Sequence, residues 1–164
     1  LRPTELFHLR FKGEQLWCMY CKKSGGGTTK PRRLLAAPVL DMEGSPTHWP
    51  LEQRLRAGEP LPQVVDPSLA GDRMGRFLRR QAIWQELSAE AQQLGEELVP
   101  YSLRHRYSAT CHRNNVPPKF IAEAMGHSLE THLRRYARFV SHGAAAAAFD
   151  AAFGGDITEE KLKK

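Results

Sequence analysis

The sequence lacks the features that mark a membrane or secreted protein. No apolar run approaches membrane-spanning length, and no segment resembles a secretory signal. Only three of the 164 residues are cysteines, and this odd number argues against a framework of disulfides. The absences favour a protein of the reducing cytoplasm, with one domain long enough to bury a substantial core.

Negative charge is scarce in two segments, which are therefore basic. Residues 1–35 hold eight Lys and Arg against two acids, and residues 98–142 hold seven against two, whereas residues 36–97 carry six against ten. If the two basic segments converge in space, they form a positive face of the kind that binds nucleic acid. The alternative is scattered, solvated charge with no common partner.

The hydrophobic pattern predicts a mostly helical domain with a small antiparallel β-hairpin, an α+β fold. Leu6 and Leu9, three apart after Pro3, indicate a first helix that ends at Lys12-Gly13. Strand patterns over residues 15–22 and 33–39 flank a glycine-rich turn, which together predict the hairpin. Helices are then expected near residues 51–56, over 73–93, over 102–113, from 118 to 126, from 128 through 136, and from 144 to 153.

Three short motifs carry residues suited to phosphate chemistry. The sequence opens Leu-Arg-Pro-Thr-Glu-Leu with Arg2, later reads Tyr-Ser-Leu-Arg-His ending near Arg104, and then reads Gly-His-Ser around His127. Tyr136 follows nine residues after His127, which itself lies twenty-three after Arg104. Arginine stays charged and presents a planar fork of donors to phosphate, and a phenol can act as a nucleophile.

In this order and at these intervals, the motifs resemble the conserved boxes of tyrosine recombinases of the phage integrase type. The resemblance covers most of residues 1–140. It implies a catalytic domain over residues 1–143, and the opening at Leu1 suggests that this domain lacks its N-terminal part. Residues 144–164 are then a C-terminal helix and tail, which either docks on a neighbouring subunit or packs on its own domain.

The resemblance implies a role for each residue of these boxes. Tyr136 is the nucleophile, and Arg2, Arg104 and His127 surround the scissile phosphate. Tyr101 stands where the family most often has histidine; a phenol can donate to a phosphate oxygen but shuttles protons poorly near pH 7, since its reference pKa is about 10. The family takes the proton for the leaving 5′-oxygen from a lysine of the hairpin, and that residue is Lys22, with Lys23 and Lys30 as alternatives.

The partner implied is double-stranded DNA carrying a recombination site, held by a homotetramer, although the fragment alone is expected to be monomeric. The chemistry requires no metal, cofactor or ATP. A cytoplasmic location follows. The protein is then associated with the nucleoid of a prokaryote, or is encoded by a phage or mobile element. The side chains expected to contact DNA are Arg10, Lys23, Lys30, Arg32, Arg33, Arg106 and Arg113.

Two other functions remain compatible with the same residues. One is a catalytically silent relative that binds DNA without cutting it, and the other is an enzyme like the type IB topoisomerases. A metal site at Cys18-x-x-Cys21 is disfavoured, because residues three apart on a strand face opposite sides and no second cysteine pair exists.

Overall fold

The computed structural model describes residues 1–21, 23–24, 27–40, 43, 45–47, 50–60, 66–139 and 143–153. Within these residues it is mostly helical with a small antiparallel sheet, which confirms the α+β prediction. The strands are β1 Leu9–Lys12, β2 Gln15–Cys18, β3 Lys23–Ser24, β4 Gly27–Thr28, β5 Arg32–Arg33, β6 Val39–Leu40 and β7 Pro46–Thr47. The α-helices are α1 Leu51–Arg56, α2 Ala70–Leu78, α3 Ala82–Gln93, α4 Ser102–Arg113, α5 Pro118–Met125, α6 Leu129–Tyr136 and α7 Ala144–Phe153, with 3₁₀ helices at Pro3–His8, Pro67–Leu69 and Ala137–Phe139.

The N-terminal segment differs from the helix predicted to run to Lys12. A 3₁₀ helix ends at His8, and the chain then extends into β1, where Leu9 pairs with Cys18 of β2. The spacing of Leu6 and Leu9 fits a helix but is satisfied here by a sheet, because both residues pack in one cluster with Leu16. The helix prediction was wrong beyond His8, since strand pairing supplies the backbone hydrogen bonds there.

The hairpin region contains two separate pairings. β2 pairs with β5 through Trp17 opposite Arg33 and Cys18 opposite Arg32, so the sheet order is β1-β2-β5. Residues 23–24 and 27–28 pair separately across the glycine-rich turn. The return strand predicted over residues 33–39 is therefore shorter, and it begins one residue earlier.

One continuous helix was predicted over residues 73–93, and the structure has two. α2 ends at Leu78, Gln81 takes an extended backbone conformation, and α3 begins at Ala82. No proline or glycine marks the break. Of the large apolar side chains in this region, Trp84 is buried, whereas Phe77 and Leu87 are exposed.

Helices α4, α5 and α6 enclose the second cluster of the core. It consists of Cys111, Ile121, Met125 and Tyr136, one or two from each helix. Arg32 of β5 joins this cluster to the sheet, because its Nε donates to the carbonyl oxygen of Ala124 at 2.9 Å. Across the helices that the structure describes, none has both the length and the apolar character needed to cross a bilayer.

Candidate active site

Arg104 lies in the first turn of α4 and is almost fully buried, with 5% of its surface exposed. Its Nη2 donates a hydrogen bond to the carbonyl oxygen of Met125, the last residue of α5, and lies 3.5 Å from Nδ1 of His127. Its Nε atom is buried and has no hydrogen-bond partner among the described residues. A buried guanidinium with an unused donor is suited to receive a phosphate oxygen.

The turn that ends α5 holds His127. Gly126 closes the helix in the left-handed conformation, with φ of 69°, and the His127 amide donates to the carbonyl oxygen of Ala122 at 3.2 Å. Burial above all, and then the positive charge of Arg104, lower the pKa of His127 to about 3. Its imidazole is therefore neutral near pH 7.

Tyr136 is the last residue of α6 and is fully buried, with 0% of its surface exposed. Its ring is stacked on two imidazoles, that of His132 at 4.9 Å and that of His127 at 5.7 Å between ring centroids. The start of this short helix is fixed by Ser128, whose hydroxyl accepts from the Thr131 amide at 3.2 Å. Tyr136 thus lies at the end of a capped helix, stacked against His127.

The Tyr136 hydroxyl makes no hydrogen bond of normal geometry with any described residue. Burial, and then Tyr101, raise the pKa of Tyr136, while the positive charge of Arg104 opposes them. The phenol therefore lies close to both Tyr101 and Arg104, and it is protonated near pH 7. Because Tyr136 is buried, this conformation does not offer the phenol to a DNA duplex at the surface.

Glu5 organises the N-terminal side of the site. Its carboxylate is fully buried and accepts from the Arg2 amide at 2.7 Å, from Arg2 Nη1 at 2.8 Å and from Arg32 Nη2 at 2.8 Å. Burial alone would raise the pKa of Glu5, but the Arg2 amide and the charges of Arg32 and Arg2 lower it. An ionised Glu5 thus fixes the two arginines relative to each other.

A cleft of about 1290 Å³ brings predicted phosphate-binding residues from both ends of the sequence together. Arg2 from the N-terminal segment, and Tyr101 and Arg104 from the start of α4, all line it. Tyr101 is exposed and its ring meets that of His105 edge-on at 5.1 Å. Five of the six predicted catalytic residues therefore lie close together, namely Arg2, Tyr101, His127 and Tyr136 around the guanidinium of Arg104.

The predicted proton donor is not located. Lys22 lies outside the described residues, and Lys23 is described only through its backbone, which pairs with Thr28. Lys30 is exposed two residues before β5. The choice among the three lysines stays a prediction.

The residues predicted to contact DNA fall into two groups. Arg32 is buried, and its guanidinium donates to Glu5, to the Ala124 carbonyl and to Cys18 Sγ at 3.7 Å. This placement argues against the DNA contact expected of Arg32, because its donors are used inside the protein. The other residues are exposed wherever the structure describes their side chains: Arg10, Lys30, Arg33, Arg106 and Arg113.

Two histidines that sequence reasoning did not select lie behind the pocket. His132 is fully buried, and its imidazole is hydrogen-bonded to that of His127 at 3.0 Å and to that of His112 at 2.9 Å. His132 precedes Tyr136 by one helical turn, and this spacing is a signal that the two share a helix face. The place of His112, on another helix, has no comparable signal in the sequence.

The site combines a buried guanidinium, a neutral imidazole and a phenol. A family model, that of the phage integrase family, matches residues 62–141. These residues include Tyr101, Arg104, His127 and Tyr136, so that this part of the chain is similar to the phage integrase family. No curated protein and no solved structure matched the chain.

Proposed function

We propose that this protein is a site-specific DNA recombinase that cuts and rejoins DNA through a covalent 3′-phosphotyrosyl intermediate. The observation that carries the proposal is the shared environment of Tyr136 and His127 beside the Arg104 guanidinium. Attack by the Tyr136 oxygen on the scissile phosphorus forms the new P–O bond and breaks the bond to the 5′-oxygen. The adduct conserves the phosphodiester bond energy, so that rejoining needs no ATP.

Arg104 and Arg2 stabilise the transition state in this proposal. Charge grows on the non-bridging oxygens during attack, and donors fixed beforehand in a pocket that excludes water stabilise that charge strongly. Arg104 has a free buried Nε for this purpose, and Glu5 holds Arg2 at the rim of the same cleft. Tyr101 adds a further donor, and Lys22, or else Lys23 or Lys30, protonates the leaving 5′-oxygen.

The proposed partner is double-stranded DNA with a recombination site, bound by a homotetramer. The exposed basic side chains of Arg10, Lys30, Arg33, Arg106 and Arg113 would contact the backbone, and Lys23 is placed with them by sequence. Residues 144–164 would dock on a neighbouring subunit; α7 exposes Phe149 and Phe153. Action on DNA implies a cytoplasmic protein that is associated with the nucleoid of a prokaryote, or one that is encoded by a phage or mobile element.

Tyr136 must leave its buried position before it can attack. With 0% exposure, its phenol is shielded by rings from α4 and α6, including those of His105 and His132. DNA binding is therefore expected to shift α6, which continues into the 3₁₀ turn Ala137–Phe139. Accessibility of Tyr136 is thus part of the proposed cycle.

A nicked suicide duplex tests the activity. Cleavage next to the nick releases a short fragment that cannot be rejoined, so the covalent protein–DNA adduct accumulates and is counted on a denaturing gel. We expect an adduct with the protein and none with Tyr136→Phe, which should retain DNA affinity. DNA binding without any adduct from the protein itself would instead indicate the silent relative. Relaxation of supercoils without a preferred sequence would indicate a topoisomerase-like enzyme.

A further inference from the structure

Three histidines form a continuous hydrogen-bonded line that leads away from the pocket. His127 Nε2 lies 3.0 Å from His132 Nδ1, and His132 Nε2 lies 2.9 Å from His112 Nε2. At the pocket end, Arg104 Nη2 faces His127 Nδ1 at 3.5 Å. His132 is fully buried, whereas His112 in the last turn of α4 is 7% exposed. The line thus connects the pocket to a residue that reaches solvent.

Arg104 fixes the direction of the hydrogen bonds. A guanidinium only donates, so His127 Nδ1 accepts, and neutral His127 carries its proton on Nε2. That proton is donated to His132 Nδ1, which leaves the His132 proton on Nε2 facing His112. Each contact then has one donor and one acceptor, and the last proton sits on His112 Nδ1.

Burial keeps all three imidazoles of the line neutral at rest, and nearby positive charge adds to this effect at His127 and His132. Burial and then Arg104 lower the pKa of His127 to about 3, with further contributions from His132, Arg2 and Arg32. Burial, followed by His112 and Arg104, lowers the pKa of His132 to about 4, and burial lowers that of His112. Since the charged side chains acting on these rings are positive, an imidazolium is disfavoured within the line, and a proton can enter only as another leaves.

We propose that His132 and His112 are positioning residues for the recombination reaction, which orient His127 and carry the proton of Tyr136 out of the pocket. This inference rests on the proposed function. As the Tyr136 oxygen bonds to phosphorus, its proton goes to His127 Nδ1, which no longer accepts from Arg104 once that guanidinium donates to the phosphate. The His127 Nε2 proton then moves to His132 Nδ1. The His132 Nε2 proton moves to His112 Nε2, and His112 releases its Nδ1 proton to water. Rejoining reverses each transfer.

The line of histidines can accept the proton of the nucleophile, which Tyr101 is poorly suited to do. The pocket contains a phenol there, which near pH 7 does not readily accept a proton. A base near the nucleophile typically contributes about 10²–10⁴-fold to the rate. After the transfer, His127 bears its new proton on Nδ1, the atom that faces Arg104 in the free protein, so that it can donate to a phosphate oxygen bound by Arg104.

The test compares rates of adduct formation for His132→Asn, His112→Asn and the protein itself on two nicked duplexes. One duplex has the natural phosphate, and the other has sulfur in place of the 5′-bridging oxygen, whose leaving thiolate needs no proton. Asparagine keeps one donor and one acceptor but cannot pass a proton. We expect about a 10²-fold loss for His132→Asn on both duplexes, with DNA affinity unchanged, and no loss for His8→Asn, which lies outside the line against Tyr20.

The outcomes separate the possibilities. A His132→Asn rate within about threefold of that of the protein, or a loss that the bridging sulfur restores, would overturn the proton line, because the second result assigns the proton to the leaving group. Thermal melting of each variant checks that it is folded. If His132→Asn does not fold, His112→Asn, at the far end of the line, decides with the same two duplexes.

Imidazole ¹⁵N NMR of the protein without DNA tests the line independently of activity. We expect neutral rings protonated on Nε2 in His127 and His132 and on Nδ1 in His112 at pH 7. If the protein forms no adduct yet shows these tautomers, the recombinase proposal has failed and the hydrogen-bonded line stands. Protonation of His127 on Nδ1 in the free protein would refute the direction that Arg104 imposes.

Discussion

The guanidinium of Arg32 lies against the left-handed turn at Gly126, so closely that a Cβ on Gly126 would come within 2.6 Å of Arg32 Nη1. Arg32 has little freedom to move away, because its Nη2 is held by Glu5 at 2.8 Å and its Nε by the Ala124 carbonyl at 2.9 Å. His127 is the next residue along the chain. The buried pair of Arg32 and Glu5 therefore sets the position of the turn that presents His127 to the pocket.

Gly126→Ala should lower the free energy of unfolding by clearly more than a left-handed alanine costs by itself, about 1–2 kcal/mol. The additional loss comes from the collision with Arg32. Gly95→Ala is the matched control, since Gly95 has φ of 71° and nothing within 4 Å of an added Cβ. Urea denaturation of both variants measures the difference, and equal losses would contradict the close packing at Arg32.

Tyr136→Phe should not destabilise the protein, and should raise the free energy of unfolding by up to about 1 kcal/mol. Its hydroxyl is buried without a hydrogen bond to any described residue, and an unsatisfied buried hydroxyl is unfavourable. Tyr107→Phe should instead lose about 1 kcal/mol, because the Tyr107 hydroxyl donates to the Leu35 carbonyl at 3.0 Å. A stability loss for Tyr136→Phe as large as that for Tyr107→Phe would show that the Tyr136 hydroxyl is bonded after all.

Much of the second half of the fold is readable from local signals. The helix start and stop signals act within a few residues. They are Pro118 at the start of α5, Gly126 at its end and the Ser128 cap of α6, and the structure has these bounds. The stretch from Leu6 to Lys12 misleads, because a strand pairing with Gln15–Cys18 overrides a helical spacing. The break between α2 and α3 has no local signal at all.

The candidate site likewise has features that the sequence predicts and features that it does not predict. The resemblance to tyrosine recombinases implies that Arg104, His127 and Tyr136 surround one phosphate, and the structure brings the three residues together. The burial of Arg32 was not predictable, because its partner Glu5 is twenty-seven residues away and a basic residue in a basic segment suggests a surface. The contact between His132 and His112 depends on how α4 packs on α6, which composition does not encode.

Stability should fall as the pH is lowered from about 6.5 towards 4. The pKa of His127 is about 3 and that of His132 about 4 in the folded protein, against 6.5 as the ordinary value. The unfolded chain therefore binds more protons below pH 6.5, and each histidine lowers the free energy of unfolding by up to about 1.4 kcal/mol per pH unit. Below about pH 4.5, loss of the Glu5 carboxylate adds to this, since its pKa is also lowered on folding.

Urea denaturation at several pH values between 7 and 5 measures the slope. His132→Asn should be less stable at pH 7 but should show a shallower fall with pH, because one buried neutral imidazole has been removed. The two slopes are compared rather than the absolute values. Identical slopes for the protein and His132→Asn would mean that His132 is not held neutral by folding.

Substitution by glutamine should have opposite effects at the two adjacent arginines of β5: it should weaken DNA binding at Arg33 and lower stability at Arg32. Arg33 is exposed and forms no salt bridge within the described part of the chain, so Arg33→Gln should change the free energy of unfolding by less than about 0.5 kcal/mol. If Arg33 contacts a phosphate, as proposed, DNA binding weakens, and the slope of log affinity against log salt falls by about 1. Fluorescence anisotropy with a labelled duplex over a salt series measures both quantities.

Arg32→Gln should cost about 3–5 kcal/mol, because it leaves the buried Glu5 carboxylate with Arg2 as its remaining charged partner. Under conditions where the variant stays folded, its salt slope should equal that of the protein itself, since Arg32 spends its donors on Glu5, Ala124 and Cys18. A reduced salt slope for Arg32→Gln would place its guanidinium on DNA and would require the Glu5 pair to open when DNA binds.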